Sequence, residues 1–275
     1  MACETIPIFK IKPKEMKFQL KNILAVMAIS VTLFSCSNAD DNEMITGNGN
    51  LKLEFDNVYK SANFAFNTNY TNSNAEVVAV SKVKYIVSNI VLTKEDGTTF
   101  TYLKSQSYFI VDEATPATLI INLSNIPAGN YTKVKYGIGV DKTQWEAGAT
   151  GQGDFLATAQ TAGMMWSWSA GYKFVAFEGT FTAPTVTTSK EFKVHTGQTG
   201  TDYNYAEVTL SFPENALVRT TITPQVHIMT DLSQVIDGTN KINLTEAATV
   251  MGGAKLALVT ANVSSMFKID HVHND

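Results

Sequence analysis

Val77-Val78-Ala79-Val80-Ser81-Lys82-Val83-Lys84-Tyr85-Ile86-Val87-Ser88-Asn89-Ile90-Val91-Leu92 is the stretch whose reading decides the fold, and the turn signal Glu95-Asp96-Gly97 closes it. Sixteen residues dominated by Val, Ile and Tyr and bounded in this way read as a β-strand. Residues 131–140 (YTKVKYGIGV) repeat the same enrichment. Elsewhere the period is plainly two: Leu51, Leu53 and Phe55 alternate with polar residues, and so do Val208, Leu210 and Phe212. Further turn signals fall at Pro127-Ala128-Gly129-Asn130 and Asp237-Gly238. Short strands with frequent turns predict an all-β protein, a sandwich or barrel. Brief helices are expected at residues 231–236 and 245–251, where small and apolar residues lose their alternation. Residues 51–275 have the length of one all-β domain, and no linker, charge block or repeat divides them.

The N-terminus predicts export. Residues 23–34 (ILAVMAISVTLF) are almost unbroken apolar sequence, preceded by Lys17 and Lys21 and followed by Ser35 and Cys36. A bilayer span needs roughly 20 such residues, so the run is too short to cross. A basic region, a short apolar region and a small residue before a cleavage site are the parts of a secretory signal. Leu33-Phe34-Ser35-Cys36 resembles a bacterial lipobox, which would make Cys36 the lipidated first residue of the mature protein. The plainer alternatives are a secreted protein without lipid and a buried helix. Met16 stands just before the basic region, so translation is expected to start there, leaving residues 1–35 as upstream segment and signal peptide. Cys3 would then be absent, and Cys36 would be the single cysteine after export. Stability must therefore come from a packed core rather than disulfides. Residues 36–50 are rich in Asn, Asp, Ser and Gly and read as a flexible tether. Their acidic pair Asp40-Asp41 resembles the surface-export signals of Bacteroidetes lipoproteins. The expected location is the outer membrane, on its periplasmic or cell-surface face, held through the lipid on Cys36.

Charge excludes one large class of partner. Cleavage before Cys36 removes five lysines and two glutamates, leaving 16 basic against 23 acidic residues and a net charge of −7. Arg219 is the single arginine in the chain. Nucleic-acid binding needs clustered cations to displace counterions from phosphates, so that function is not expected.

Chemistry concentrates in a few places. All four histidines, His195, His227, His271 and His273, lie in the C-terminal third. A lone histidine is most often a satisfied half-buried residue. His271 and His273, however, form a His-Val-His pair whose side chains point the same way if the chain is extended. Such a pair can place two imidazoles on one ion, and imidazole suits Cu, Zn, Fe and Ni alike. The plain alternative is a polar chain end. Residues 164–174 (MMWSWSAGYKF) carry two tryptophans and two methionines. As a strand, Met164, Trp166 and Trp168 share one face. Such a stripe is usually core; a carbohydrate platform is the functional alternative and would need exposed indoles. Hydrolytic arrangements fare worse. There is no Gly-x-Ser-x-Gly elbow and no His-Glu-x-x-His motif, and Glu178 with Glu191 is only one of many conceivable carboxylate pairs. No catalytic residue is assigned and no enzyme is expected.

At these residues the sequence resembles the MbnP-like, methanobactin-associated copper-binding family. The matching pieces occur in the family's order: residues 83–92 with Asp96-Gly97, then Val111-Asp112, Ile126-Pro127-Ala128-Gly129-Asn130-Tyr131 and Tyr136-Gly137-Ile138-Gly139-Val140-Asp141. Met164-Met165-Trp166-Ser167-Trp168 follows with Gly171-Tyr172-Lys173-Phe174, then Glu178-Gly179 and His195-Thr196-Gly197. The resemblance implies a β-sandwich that binds copper outside the cytoplasm through histidines. In some members of that family a tryptophan is oxidised to kynurenine by a partner dihaem peroxidase of the MauG type, and Trp166 or Trp168 matches the motif from which kynurenine arises. His195 matches the family's His-x-Gly histidine, and His227, on a strand after Pro224, is expected to converge with it. Two departures stand out. Proteobacterial relatives often carry cysteines near this histidine and a further histidine in the N-terminal half, whereas here the loop reads Gln198-Thr199-Gly200-Thr201 and no histidine precedes His195. The leading expectation is a copper-binding lipoprotein for acquisition, storage or handover. The rival is a metal-free surface lipoprotein that captures a glycan or a protein through the aromatic segment.

Overall fold

The computed structural model describes residues 45–166 and 171–275. The expectations placed on Met16, Cys36, Asp40-Asp41 and Trp168 lie outside the described residues. In chain order the elements begin with β1 (Asn48–Tyr59), β2 (Ala62–Asn63), β3 (Asn69–Thr71), β4 (Val77–Lys94), β5 (Thr99–Thr101) and β6 (Tyr108–Asp112). There follow β7 (Ile120–Pro127), β8 (Gly129–Ile138) and three short helices, α1 (Lys142–Glu146), α2 (Gly148–Gln152) and α3 (Phe155–Thr161). The rest comprises β9 (Lys173–Ala183), β10 (Val186–Thr199), β11 (Asp202–Tyr203), β12 (Ala206–Val218), β13 (Gln225–Asp231), α4 (Gln234–Asp237), β14 (Thr249–Val250), α5 (Ala254–Ser264) and β15 (Phe267–His273). Strand β1 starts three residues before Leu51, inside the stretch assigned to the tether.

Two sheets form a sandwich-like fold. The smaller runs β15-β13-β1-β2, with β7 also on β1; the larger runs β11-β10-β9-β4-β8-β12 with shorter strands attached. The quoted stretch becomes β4, which pairs with both β8 and β9. Its loss of strict alternation has a physical cause. Tyr85, Ile86, Val87 and Ser88 are all buried, because β4 is covered on both faces. Tyr85 and Val87 face the core between the sheets, whereas Ile86 packs outward under α3 with Ala159, Met164, Tyr172, Phe174 and Ala176. A strand buried on both sides reads as a continuous apolar run.

The inter-sheet core is knit by aromatic edges. Phe267 on β15 meets Phe55, Tyr85 and Tyr136 edge-on, with ring centroids 6.2, 5.8 and 5.5 Å away. Each buried ring of this kind contributes roughly 1.5–3 kcal/mol through removal from water. This packing fixes β15 against the larger sheet, and with it the outward-facing residues of β15.

Three local expectations need correction. Helix α4 begins at Gln234 rather than residue 231. Residues 245–251 are not helical, because Thr249 and Val250 add a parallel strand to β10 and the helix comes later, as α5. The stretch at Met164 and Trp166 is not a strand but a single bridge, Met165 to Tyr172. In the first two cases pairing with a distant strand, of Asp231 with β1 and of Thr249 and Val250 with β10, outweighed the local pattern. No helix among the described residues is long and apolar enough to cross a membrane.

Candidate metal centre

Three of the four histidines meet. His227 lies opposite His271 across the β13–β15 ladder, and parallel pairing places Glu54 of β1 beside His227 on its other side. The ladder carries an irregularity between His227 and Ile228, whose partners are His271 and Ile269, so Asp270 is the extra residue. That bulge decides the site. Phe267 and Ile269 point into the core, and strict period two would send His271 and His273 inward after them. The extra residue shifts the phase, so Val272 is buried while both histidines face outward. Re-aiming side chains is a known consequence of a bulge.

The three rings pack closely. His227 stacks on His271 with centroids 4.1 Å apart, and His273 stands edge-on to both at 5.0 and 4.6 Å. One ligating nitrogen from each lies within 4.8 Å of the others. Asp270 Oδ2 accepts from His271 Nδ1 at 2.7 Å, which leaves Nε2 as the bare nitrogen, 3.0 Å from His273 Nε2. A carboxylate behind a ligating imidazole fixes its tautomer and ring orientation. Burial lowers the pKa of His227 from its usual 6.5, against the raising effect of Glu54. A neutral imidazole is the metal-binding form, so the donor set suits a borderline transition metal. Among the described residues this is the single group of three such side chains.

His195 is elsewhere. It lies on β10 of the larger sheet, opposite Ala176, and is 4 % exposed. Its Nε2 donates to Glu178 Oε1 at 2.8 Å, while Nδ1 is shut from solvent without a hydrogen-bond partner. The expected convergence of His195 with His227 therefore does not occur, because sheet pairing gives each a different neighbourhood. The hydrogen bond from His195, together with Lys82 at 3.0 Å, lowers the Glu178 carboxyl to about 2. A glycosidase needs one carboxyl raised so that it can donate a proton, so Glu178 does not suit that role with Glu191.

Trp166 lies beside His195, with ring centroids 6.1 Å apart in an edge-on arrangement. Its Nε1 donates to the Tyr172 carbonyl at 2.7 Å, and the indole is 5 % exposed. An exposed platform built on Trp166 is thus overturned. The helices α1 to α3, which cover this face, escaped the sequence reading, since each spans no more than seven residues. Glu54 and Asp270 escaped it too; their one available signal was position, Asp270 adjoining the histidine pair and Glu54 sharing β1's outward phase.

Two packed sheets, with a histidine triad on the outward surface of the smaller, define a β-sandwich bearing a candidate metal centre. The chain belongs to the MbnP family, whose model matches residues 48–252. The matched stretch contains His195, Trp166 and His227 and ends before His271 and His273. Among solved structures the chain is similar to MbnP from Methylosinus trichosporium, at 15% identity over 75% of this chain and 82% of that one, with a TM-score of 0.45. No curated protein matches it.

Proposed function

We propose that this protein is an extracytoplasmic copper-binding lipoprotein, anchored through Cys36, that holds the ion on His227, His271 and His273 for acquisition, storage or handover. The observation that carries this is the meeting of three imidazole nitrogens within 4.8 Å on an outward sheet surface. Imidazoles alone do not choose among copper, zinc and nickel; membership of the MbnP family favours copper. His227 and His271 are partly accessible and His273 is exposed, which suits an ion that must be loaded and passed on. No chemistry of its own is assigned to the protein.

The test is competition. Purified mature protein is titrated with Cu(I) and Cu(II) against a chelator, beside a His227→Ala, His271→Ala double variant. Wild type should hold its preferred copper ion at least about tenfold more tightly. Equal retention would dispose of the assignment.

A second reading concerns tryptophan. The edge-on contact of Trp166 with His195 supports the oxidation of Trp166 or Trp168 to kynurenine by a MauG-type dihaem peroxidase. Intact mass of protein from its native host decides this, since kynurenine has one more oxygen and one fewer carbon than tryptophan. An unmodified mass in cells that make the peroxidase would refute it.

A further inference from the structure

The three imidazoles of the triad are not held alike. His271 Nδ1 donates to Asp270 Oδ2 at 2.7 Å, and its ring stacks on that of His227 with centroids 4.1 Å apart and planes 19° from parallel. His227 in turn has Glu54 Oε2 3.1 Å and Gln225 Nε2 3.3 Å from its Nε2. His273 is exposed and stands edge-on to both rings. Its side-chain hydrogen bond among the described residues runs from Nε2 to the bare Nε2 of His271, at 3.0 Å. An ion taken up by that bare nitrogen displaces this contact. We infer that His227 and His271 are the fixed pair that retains the ion, and that His273 is the exchange ligand, the imidazole that closes on the ion last and leaves it first. The inference rests on the triad being the metal site and adds to it the order in which its ligands let the ion go.

A ligand already fixed in place loses little freedom when the ion arrives, whereas a loose one is ordered by the ion itself. Turning His271 away from an ion breaks its hydrogen bond to Asp270 and its stack on His227. Turning His273 away from a bound ion breaks neither. Exposed side chains change rotamer far faster than strands rearrange, so this is the quick route. The backbone at His273 does not share the freedom, because Val272 is buried and Asn274 Oδ1 accepts from Leu217 N at 2.7 Å. Movement is thereby confined to one side chain at the end of β15, and the strand register that sets the other two rings is untouched. Two imidazoles then retain the ion while the place of the third is open to the incoming donor of an acceptor.

The experiment loads the mature protein with one equivalent of Cu(I) or Cu(II), whichever the wild type holds more tightly, and follows both retention and the rate of transfer to a chromophoric chelator. The variants are His227→Ala, His271→Ala, His273→Ala, Asp270→Ala and Asp270→Asn. A carboxylate behind a ligating histidine is worth roughly ten- to a hundredfold in metal affinity. His227→Ala and His271→Ala should therefore lose at least about tenfold more affinity than His273→Ala. His273→Ala should stay loaded but transfer its copper at least about tenfold faster than wild type, since the step of turning the ring away is gone. Asp270→Ala, which frees His271, should weaken retention by roughly ten- to a hundredfold. Asp270→Asn keeps an oxygen that accepts from His271 Nδ1 and should retain copper better than Asp270→Ala. The inference is overturned by equal losses in His271→Ala and His273→Ala, by wild-type transfer in His273→Ala, or by wild-type retention in Asp270→Ala. Equal retention in Asp270→Ala and Asp270→Asn overturns it too, because the hydrogen bond would then not be what fixes His271. If no histidine variant differs from wild type, the triad itself is wrong; if all three fall alike, the triad stands and the ranking alone falls. Should His227→Ala or His271→Ala fail to fold, Asp270→Ala and His273→Ala, both at exposed positions, carry the test. The first must lower retention and the second must quicken transfer, and failure of either refutes the inference.

Discussion

Replacing Glu178 with glutamine should flatten the acid limb of the protein's stability. The carboxyl is held between His195 and Lys82, and its pKa falls from the ordinary 4.5 to about 2. At roughly 1.4 kcal/mol per unit, that depression corresponds to about 3 kcal/mol. The Lys82 side chain is 44% exposed, so solvent screens its share; about 2 kcal/mol is the figure to expect. The sign follows from linkage. A carboxyl that binds its proton less readily folded than unfolded adds stability that is complete above pH 4.5 and drains away as pH falls toward 2. Urea unfolding of wild type and Glu178→Gln, run at neutral pH and at intervals down to pH 2.5, reads this directly. The variant should be about 2 kcal/mol less stable at neutral pH, and the gap should close on acidification. A gap that stays constant with pH, or none at all, would refute the claim that Glu178 is held ionised by His195 and Lys82.

Phe267→Ala should cost about 3–5 kcal/mol, since the ring meets Phe55, Tyr85 and Tyr136 in the inter-sheet core; a loss under 1 kcal/mol in chemical denaturation would show that β15 is held by other contacts. Gly197→Ala places a Cβ 2.4 Å from the Tyr172 carbonyl oxygen and 3.1 Å from the Trp166 indole. It should cost about 1–3 kcal/mol and shift tryptophan emission, because that carbonyl also accepts from Trp166 Nε1; unchanged emission and stability would place the indole elsewhere.

Much of the architecture was legible because strand periodicity is local. Alternation at Leu51, Leu53 and Phe55 survives unchanged as the buried face of β1, and the turn at Pro127-Ala128-Gly129-Asn130 joins β7 to β8 as its residue types require. Residues 245–251 misled because their small apolar composition fits a helix, whereas the hydrogen bonds of β10 recruit Thr249 and Val250 as a strand. The helices over the larger sheet were not legible. They are too short to show a 3.6-residue period, and they are stabilised by the apolar surface of β4 and β9 beneath them rather than by propensity.

The candidate site divides along the same line. That His271 and His273 share a face follows from the sequence by itself, since two residues of extended chain restore a side chain's direction. Which face they share, and which third histidine they meet, was settled only in the tertiary structure. The bulge at Asp270 turns the pair outward, and the pairing of β13 with β15 on one edge and β1 on the other brings His227 and Glu54 to them. Register is fixed by hydrogen bonds between segments distant along the chain and by the packing of inward residues such as Phe267 and Ile269, so no local pattern around any one of the four residues encodes their meeting.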